Sequence, residues 1–204
     1  MKVKLRKLGV QDYKKTWASM QNVILSKGQD DSDEIWLLEH FPVYTLGFGA
    51  SEEHLLESSN IPVIRSDRGG EVTYHGPGQI VAYFLINLRR KKWGPKRFVN
   101  ELESSVIDFL KDYGLSAKRV EGSPGIYIKE KKISSIGLKI KRGFSYHGLS
   151  INIDMDLSPF KAINVCGQES LKVTHLKEFS EVSVSKAFMD FENTALERFE
   201  GVVL

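Results

Sequence analysis

The sequence predicts a single domain of the α/β class, of the α+β type, with a mixed central β-sheet flanked by helices. Two observations lead to this fold class. Segments with helical periodicity are interspersed with hairpin-like pairs of apolar runs, whereas a parallel sheet would require regular alternation of strands and helices. The chain has 204 residues, of which 41% are hydrophobic and 27% are charged, values typical of one globular domain. We therefore expect one domain over residues 1–204.

The first third of the chain is predicted to contain short strands and one long helix. Residues 3–8 alternate in polarity as a strand does, and apolar residues then recur at three- and four-residue spacing, which predicts a helix over 10–27. The buried stripe of that helix comprises Val10, Tyr13, Trp17, Met20, Ile24 and Leu25. The next predicted elements are a polar turn at 29–33, strands at 34–39, 43–46 and 61–65, and a short helix from Ser51 to about Ser58.

The rest of the chain is predicted to form a hairpin, further strands and two helices. Pro95 is typical of a first helical position and Gly114 of a helix end, so they bound a long amphipathic helix. Lys129–Lys132 has the charged character of a hairpin tip between two strands. The predicted strands lie at 80–88, 126–128, 133–140 and 145–153, followed by an irregular segment at 154–167 and a terminal helix from Val184 to Phe199.

The glycine-rich segment Arg68–Gln79 (RGGEVTYHGPGQ) is the first candidate for a functional site. Its glycines have no Cβ atom and reach positive φ, so a ligand can lie directly against the backbone. Arg68 supplies a fixed cation and His75 a group that titrates near neutrality. The apolar strand that follows places the segment on a buried sheet. The alternative is an ordinary surface turn, since turns favour the same residues.

Cys166 is the candidate nucleophile, because it precedes a glycine in an irregular segment, where reactive side chains tend to lie. The alternative is a small buried apolar residue, the usual role of an isolated cysteine. Since the thiolate is the reactive form, a neighbouring cation would favour reactivity. The candidate cations are His75, His147, Lys132 and Lys139. Because the chain has one cysteine, an internal disulfide and an all-cysteine metal site are both excluded.

Metal and nucleotide sites are weaker interpretations. His75, His147 and Cys166 are a possible ligand set for catalytic zinc. The Pro-Cys-x-x-Cys pattern of zinc deaminases is missing, however, and the histidines do not have the helical spacing of metalloproteases. The sequence also has no G-x-x-x-x-G-K-[ST] motif, and its glycines lack the G-x-G-x-x-G order. We therefore expect no metal site and no phosphate-binding loop.

The charge and hydropathy of the sequence indicate which binding partners and which cellular location to expect. A net charge of +3 is too small to indicate a nucleic-acid-binding protein. The basic cluster within Arg89–Arg97 is either a solvated loop or a docking surface for an acidic protein. The sequence has no apolar run of 18 residues, and its N-terminus, MKVKLRKLGV, lacks the apolar core of a signal peptide. We therefore expect a cytoplasmic protein with no membrane contact.

Four segments together resemble the octanoyltransferases of lipoate biosynthesis, the lipoyl(octanoyl) transferase B family. They are Arg68–Gln79 (RGGEVTYHGPGQ), Lys132–Leu138 (KISSIGL), His147–Ile153 (HGLSINI) and Asp156–Gly167 (DLSPFKAINVCG). The resemblance extends in order over roughly residues 35–167, and its first segment is very specific. It implies a fold shared with lipoate ligases and with the catalytic domain of biotin ligase.

The resemblance also implies an activity, its reactants and a catalytic pair. Such an enzyme moves an octanoyl group from octanoyl-acyl carrier protein to a lysine of lipoyl domains, without a cofactor. The implied acceptors are the lipoyl domains of 2-oxoacid dehydrogenase complexes and the glycine cleavage H protein. The family's acyl-carrying cysteine corresponds to Cys166. Its lysine corresponds to Lys132, not to Lys139.

The implied substrate-binding residues lie in three of these segments. They are Arg68, Gly69, Gly70, Glu71, Val72, Thr73, Tyr74 and His75, then Ser135, Ile136 and Gly137, and finally Gly148, Leu149 and Ser150. This chain departs from the family pattern at two positions: Val165 stands where proline is common, and Ser150 where alanine is usual. We expect the first change to loosen the nucleophile loop and the second to add a hydroxyl group near the acyl site.

Two other functions are compatible with the sequence. An ATP-dependent lipoate or biotin protein ligase would have the same fold, but it would exchange ATP with pyrophosphate and would not require a cysteine. A non-catalytic protein that binds acyl chains or carrier proteins would show no multiple-turnover transfer to a lipoyl domain.

Overall fold

A mixed β-sheet forms the centre of the protein, whose computed structural model describes residues 2–57, 59–169 and 171–200. The strands are β1 (Lys4–Gln11), β2 (Glu34–His40), β3 (Val43–Leu46), β4 (Val63–Arg65), β5 (Thr73–His75), β6 (Gln79–Leu85), β7 (Lys118–Val120), β8 (Ser123–Ile128), β9 (Lys131–Lys141) and β10 (Phe144–Asn152). The α-helices are α1 (Tyr13–Ser26), α2 (Leu88–Lys91), α3 (Pro95–Asp112) and α4 (Val184–Glu200). Single 3₁₀ turns occupy Glu52–His54, Ser158–Ala162, Val165–Gly167 and Leu176–Glu178.

The strands form two sheets within the described residues. The main sheet has seven strands in the order β1-β2-β6-β10-β9-β8-β7, and the small sheet has three in the order β4-β3-β5. β1 pairs with β2 in parallel and β3 with β4 in parallel, whereas the other pairs are antiparallel. This mixed sheet with flanking helices confirms the predicted fold class.

The two faces of the main sheet are covered differently. On one face, apolar residues of α3 and α4, including Phe98, Phe109 and Phe191, are fully buried against the strands. On the other face, Met20 and Ile24 of α1 pack in one cluster with strand residues of the main sheet. Tyr13 of α1 also packs in one cluster with Val43 and Ile64 of the small sheet. None of the helices in the described ranges has the length and hydropathy that a membrane crossing requires.

The predicted long helices are present with adjusted ends. α3 begins at Pro95 and is followed by Gly114 at φ +72°, as the sequence predicts. α1 begins at Tyr13, so the predicted start of that helix at residue 10 is wrong. The reason is that Val10 and Gln11 continue β1 by pairing with β2, and the carboxylate of Asp12 then accepts a hydrogen bond from the Lys15 amide at 2.9 Å. Asp12 is therefore the N-cap.

Three other predictions need correction. The predicted short helix from Ser51 is one 3₁₀ turn, Glu52–His54, and its predicted end at Ser58 lies outside the described residues. The hairpin tip consists of Lys129 and Glu130, which have positive φ values of 46° and 67°. Lys132 is therefore not part of a charged tip; it lies within β9 and is 1% exposed. Strands β5 and β7 are not predicted by the sequence, since each has only three residues.

The basic cluster within Arg89–Arg97 has contacts inside the fold. Arg90 donates to the Asp33 carboxylate at 2.7 Å, and Lys91 Nζ donates to the Phe199 carbonyl at 2.8 Å. The guanidinium carbon of Arg97 lies 5.1 Å from the centre of the Trp93 ring. These contacts give at least part of the cluster a structural role, and its role as a docking surface stays a prediction.

The small sheet holds the glycine-rich segment in place. Thr73–His75 pairs with β3 as a strand, and the chain before it passes close to Gly47. A Cβ atom added to Gly47 would lie 1.7 Å from the Gly70 carbonyl oxygen, which no real contact permits. Gly47 is therefore required for the close approach of these two backbones.

We predict that Gly47→Ala destabilises the protein, because either β3 or the glycine-rich segment must move. The free energy of unfolding should fall by about 1–3 kcal/mol, the usual cost of overpacking. Gly49→Ala is the matched control, since a Cβ atom there would meet nothing within 4 Å, and its effect should stay within about 1 kcal/mol. Urea denaturation of both variants measures the difference. Equal stabilities would contradict the close approach.

Candidate active site

Cys166 and Lys132 lie in direct contact. Lys132 Nζ donates a hydrogen bond to Cys166 Sγ at 2.7 Å and another to the Pro124 carbonyl at 2.8 Å. The Lys132 side chain is buried, while Cys166 is half-buried. A buried lysine nitrogen thus contacts a sulfur atom that is only half-buried. Lys139, another lysine of β9 and the alternative candidate, lies instead with its Nζ 5.3 Å from the centre of the Phe48 ring.

A β-bulge brings Lys132 to this position. Ile126 of β8 pairs with Ser134, but the next residue, Tyr127, pairs with Lys132, so β9 has one extra residue at Ile133. Since successive side chains of a strand point to opposite faces, a regular strand would place Lys132 on the same face as Ser134. The bulge moves it to the face that carries Ser135.

Gly125 provides the space through which the lysine stem passes. A Cβ atom on this residue would lie 2.7 Å from Lys132 Cε and 2.3 Å from the Ser134 carbonyl oxygen. The Gly125 backbone also has φ +126°, a conformation that other residues rarely adopt. The position of Lys132 therefore depends on a glycine in the neighbouring strand.

Cys166 has an unusual backbone conformation. Its φ and ψ are 56° and 26°, in the left-handed region, and Gly167 follows with φ 71°. Left-handed residues other than glycine are uncommon and concentrate at functional sites. Val165 is 2% exposed and packs in the apolar cluster beneath this turn. The burial of Val165 argues against the expectation that this residue loosens the nucleophile loop.

The contact opens into a cleft of about 210 Å³ between the glycine-rich segment and strands β6, β9 and β10. The residues predicted to bind substrate that line it are Arg68, Gly70, Glu71, Val72, Thr73, His75, Ser135, Ile136, Gly137, Gly148, Leu149 and Ser150, together with Cys166. Two other residues predicted to bind substrate, Gly69 and Tyr74, do not line the cleft. The Gly69 amide donates to the Leu138 carbonyl at 2.8 Å, and the Tyr74 ring packs 5.5 Å from that of Phe160, outside the cleft.

Other lining residues are absent from the prediction. They are Tyr13, Val81, Tyr83, Gly122, Ser123, Pro124, His147 and Gln168. Tyr13 belongs to the apolar stripe of α1, and its periodicity indicates burial without showing that a cleft lies at its ring. His147 was considered as a cation or a metal ligand, and the sequence gives no sign that it lines the same cleft as Arg68.

Arg68 fixes one wall of the cleft. Its guanidinium donates to the Thr45 carbonyl at 2.7 Å and hydroxyl at 2.9 Å, and to the carbonyls of Gly69 and Glu71 at 2.9 Å each. The side chain is 7% exposed, and burial lowers its pKa. These bonds hold the glycine-rich segment against β3.

His147 owes its place in the cleft to a second irregularity. Its backbone has φ 59°, and its ring lies 5.0 Å from that of Tyr146 and 5.9 Å from that of Tyr83. The next residue must be glycine, because a Cβ atom on Gly148 would lie 2.0 Å from the Ala82 carbonyl oxygen. With this backbone conformation, the side chains of residues 146 and 147 do not alternate between the two faces of the sheet. The His147 ring therefore lies on the same face as the Tyr146 ring.

Hydrogen bonds orient the histidines near the cleft. His147 Nε2 lies 2.8 Å from Asp67 Oδ1, and His75 Nδ1 lies 2.7 Å from Gln79 Oε1. Burial lowers the pKa of His147, which Asp67 opposes, and burial lowers the pKa of His75 to about 3. Burial of Asp67 raises its pKa, but hydrogen bonds from His147 and Tyr146 outweigh that effect and lower it.

The residues considered as zinc ligands have other partners. Cys166 contacts Lys132, His147 contacts Asp67 and His75 contacts Gln79. In the part of the chain that the structure describes, no three His, Cys, Asp or Glu side chains are arranged to hold a metal ion.

Comparison with known proteins gives consistent matches. The family model described as the lipoyl protein ligase A/B catalytic domain matches residues 12–200. An octanoyltransferase of Dechloromonas aromatica is 50% identical over 176 residues, 86% of this chain and 86% of that protein. An octanoyltransferase of Aromatoleum aromaticum is 46% identical over 194 residues, 95% of this chain and 84% of that protein.

Solved structures share the fold at low identity. Lipoate-protein ligase A bound with ATP has a TM-score of 0.83 at 17% identity, over 98% of this chain and 86% of that one. A bi-partite lipoate protein ligase of Thermoplasma acidophilum, described with its E2 lipoyl domain, has a TM-score of 0.79 at 16% identity, over 98% and 84%. Biotin protein ligase from Aquifex aeolicus has a TM-score of 0.55 at 13% identity, over 98% and 69%. The prediction that this chain shares its fold with lipoate ligases and with biotin ligase is confirmed.

Buried histidines near the cleft predict a loss of stability in mild acid. His40 is fully buried, its Nε2 lies 2.7 Å from the Tyr83 hydroxyl, and burial lowers its pKa to about 4. An unfolded histidine has a pKa near 6.5, so unfolding takes up a proton as the pH falls below that value. The free energy of unfolding should therefore decrease between about pH 6.5 and pH 4.

His40→Gln should reduce the steepness of this decrease, because the variant has one fewer proton to take up. The slope should become shallower by at most about 1.4 kcal/mol per pH unit. Urea denaturation at pH 7, 6 and 5 measures both slopes, whatever the variant's absolute stability. Identical slopes would mean that His40 already carries its proton in the folded protein.

Proposed function

The chain belongs to the octanoyltransferases of the lipoyl protein ligase A/B catalytic-domain family, and from this we propose that it transfers octanoyl groups through a thioester on Cys166. The donor is octanoyl-acyl carrier protein and the acceptor is a lysine of a lipoyl domain. The single observation that supports this mechanism most strongly is the 2.7 Å contact between Lys132 Nζ and Cys166 Sγ at the cleft. Residues 1–204 act as one catalytic domain in this proposal.

In the first half-reaction, the Cys166 thiolate attacks the carbonyl carbon of the donor thioester. A carbon–sulfur bond to Cys166 forms, and the bond to the carrier's sulfur breaks. The Lys132 ammonium gives its proton to the leaving thiolate, so Lys132 becomes neutral. One thioester replaces another, and no ATP is required because the acyl group arrives activated.

In the second half-reaction, a neutral lysine amine of the acceptor attacks the octanoyl-enzyme. A carbon–nitrogen bond forms, and the bond to Cys166 breaks to regenerate the thiolate. Lys132, neutral after the first step, takes the proton that the attacking nitrogen loses. The ammonium–thiolate pair is thereby restored, and amide formation drives this half of the reaction.

The cleft supports an extended acyl chain. Lys132 and Gly137 on β9 are on the order of 15 Å apart, given a rise of about 3.3 Å per residue. Apolar side chains between and around them include Val72, Val81, Ile136 and Leu149. Each methylene buried there contributes about 0.8 kcal/mol to binding. The depth of this slot then selects chain length.

The acceptor class is supported by the structural neighbours. The Thermoplasma acidophilum ligase that shares this fold is described with its E2 lipoyl domain. We extend the proposal to lipoyl domains of 2-oxoacid dehydrogenase complexes and to the glycine cleavage H protein. A cytoplasmic location stays a prediction from the sequence.

The nucleophile is tested with Cys166→Ala. Incubation of the parent protein with octanoyl-acyl carrier protein should add one octanoyl group, removable by hydroxylamine, as seen by intact-protein mass spectrometry. The variant should show no adduct, because the attacking sulfur is gone. An adduct that survives the substitution would place the thioester elsewhere, and a requirement for ATP would favour the ligase function.

The lysine is tested with Lys132→Met, which keeps the length of the side chain without its charge. Loss of proton transfer should lower the turnover number by about 10²-fold or more. Lys139→Met is the matched control, because Lys139 lies on the same strand against Phe48, and its effect should be within about threefold. Steady-state transfer to a lipoyl domain measures both. The opposite order of effects would exclude Lys132 as the proton carrier.

A further inference from the structure

A carboxylate lies at the mouth of the cleft, beside the nucleophile. Among the residues that the structure describes, Glu71 is the only one with a carboxylate that lines the cleft. A Cβ atom built on Gly167, the residue after Cys166, would lie 3.6 Å from Glu71 Cγ. The Glu71 side chain is 36% exposed, so it can be reached from solvent.

One oxygen of this carboxylate lacks a hydrogen-bond partner. Glu71 Oε2 is buried and accepts no hydrogen bond from any described residue. Among the described residues, the one basic side chain with a nitrogen within 4 Å of this oxygen is His54, whose Nε2 lies at 3.9 Å, beyond hydrogen-bond distance. Since a buried carboxylate oxygen without a donor is unfavourable, the site is suited to a ligand that brings its own donors.

The backbone of Glu71 is fixed while its side chain is free to bind. Its carbonyl accepts a hydrogen bond from Arg68 Nη2 at 2.9 Å, and that guanidinium is anchored on Thr45. The residue that carries the carboxylate therefore has a fixed backbone position close to the Cys166 turn. A carboxylate on a fixed backbone can orient a ligand as well as attract it.

The proposed reaction includes one reactant with a positive charge. The donor thioester is uncharged at its reacting carbon, whereas the acceptor lysine is an ammonium near pH 7, its ordinary pKa being about 10.4. Once Cys166 is acylated, its sulfur carries no negative charge. The lysine that approaches the octanoyl-enzyme then meets Glu71 as the one carboxylate, among the described residues, that lines the cleft.

We propose that Glu71 is the positioning residue for the acceptor, binding the ammonium of the incoming lysine at the mouth of the cleft. This inference rests on the proposed octanoyl transfer. The lysine docks as an ammonium, releases one proton to water, and attacks as a neutral amine. The second proton goes to Lys132 as the amide forms. Glu71 changes no bond; it concentrates and orients the nucleophile.

The test compares Glu71→Gln with Glu53→Gln, which makes the same chemical change at an exposed position nearby. Octanoyl-enzyme formation should proceed at the parent rate in Glu53→Gln, and in Glu71→Gln it should be slowed less than the transfer to the lipoyl domain. Transfer from purified octanoyl-enzyme to a lipoyl domain should be about tenfold slower in Glu71→Gln, through a higher KM, as expected for one charge-assisted hydrogen bond. Release by hydroxylamine, a nucleophile uncharged at pH 7, should be unchanged.

Other outcomes overturn the inference. Equal slowing with hydroxylamine and with the lipoyl domain would mean that Glu71 only shapes the nucleophile loop. A parent-like rate with both nucleophiles would mean that no ammonium is bound there. Glu71→Asp provides a second check, since it keeps the charge and should recover part of the lysine-specific loss. If the parent protein forms no octanoyl adduct, the proposed function itself fails, which is a separate result.

Discussion

The burial of the Lys132 ammonium is the constraint on which the rest of the site depends. An unpaired ammonium in a protein interior is unfavourable by on the order of several kcal/mol, so its partners must be fixed. Three groups surround it: the Pro124 carbonyl, the Cys166 sulfur and the Tyr127 ring, whose centre lies 5.4 Å away. Lys132 Nζ thus has a carbonyl oxygen, a sulfur atom and an aromatic face as its partners. The proposed transfer uses the shortest of these contacts, the one to Cys166 Sγ at 2.7 Å.

The small sheet supplies the second half of the site through a buried cation of a different kind. Arg68 is held by neutral carbonyl and hydroxyl oxygens, and within the described ranges it has no carboxylate in salt-bridge contact. Its side chain lines the cleft. In the proposed transfer, a cation at this wall would favour the negative charge that develops on the thioester oxygen. The same hydrogen bonds keep the glycine-rich segment extended and rigid.

Much of this arrangement could be predicted from sequence, because periodicity and glycine content are local signals. The apolar run of β6, the α3 stripe and the glycine-rich segment were recognisable, and the resemblance distinguished Lys132 from Lys139. What periodicity could not give was the face on which each residue lies. The bulge at Ile133 and the left-handed backbone at His147 both break the alternation that such reasoning assumes. The charged run 129–132 therefore predicts that Lys132 belongs to a hairpin tip, although this residue is buried in the fold.

Small residues line the cleft where β9 and β10 pair. Gly137 pairs with Gly148 and Ser135 with Ser150, and these four residues form the cleft floor. A regular sheet face would carry large ones there, packed against α1. Left-handed backbone at residues other than glycine costs roughly 1–2 kcal/mol each, and the floor gives up apolar burial as well. The fold thus gives up stability at the cleft floor, and the space this leaves is where the acyl chain of the proposed transfer would lie beside Cys166.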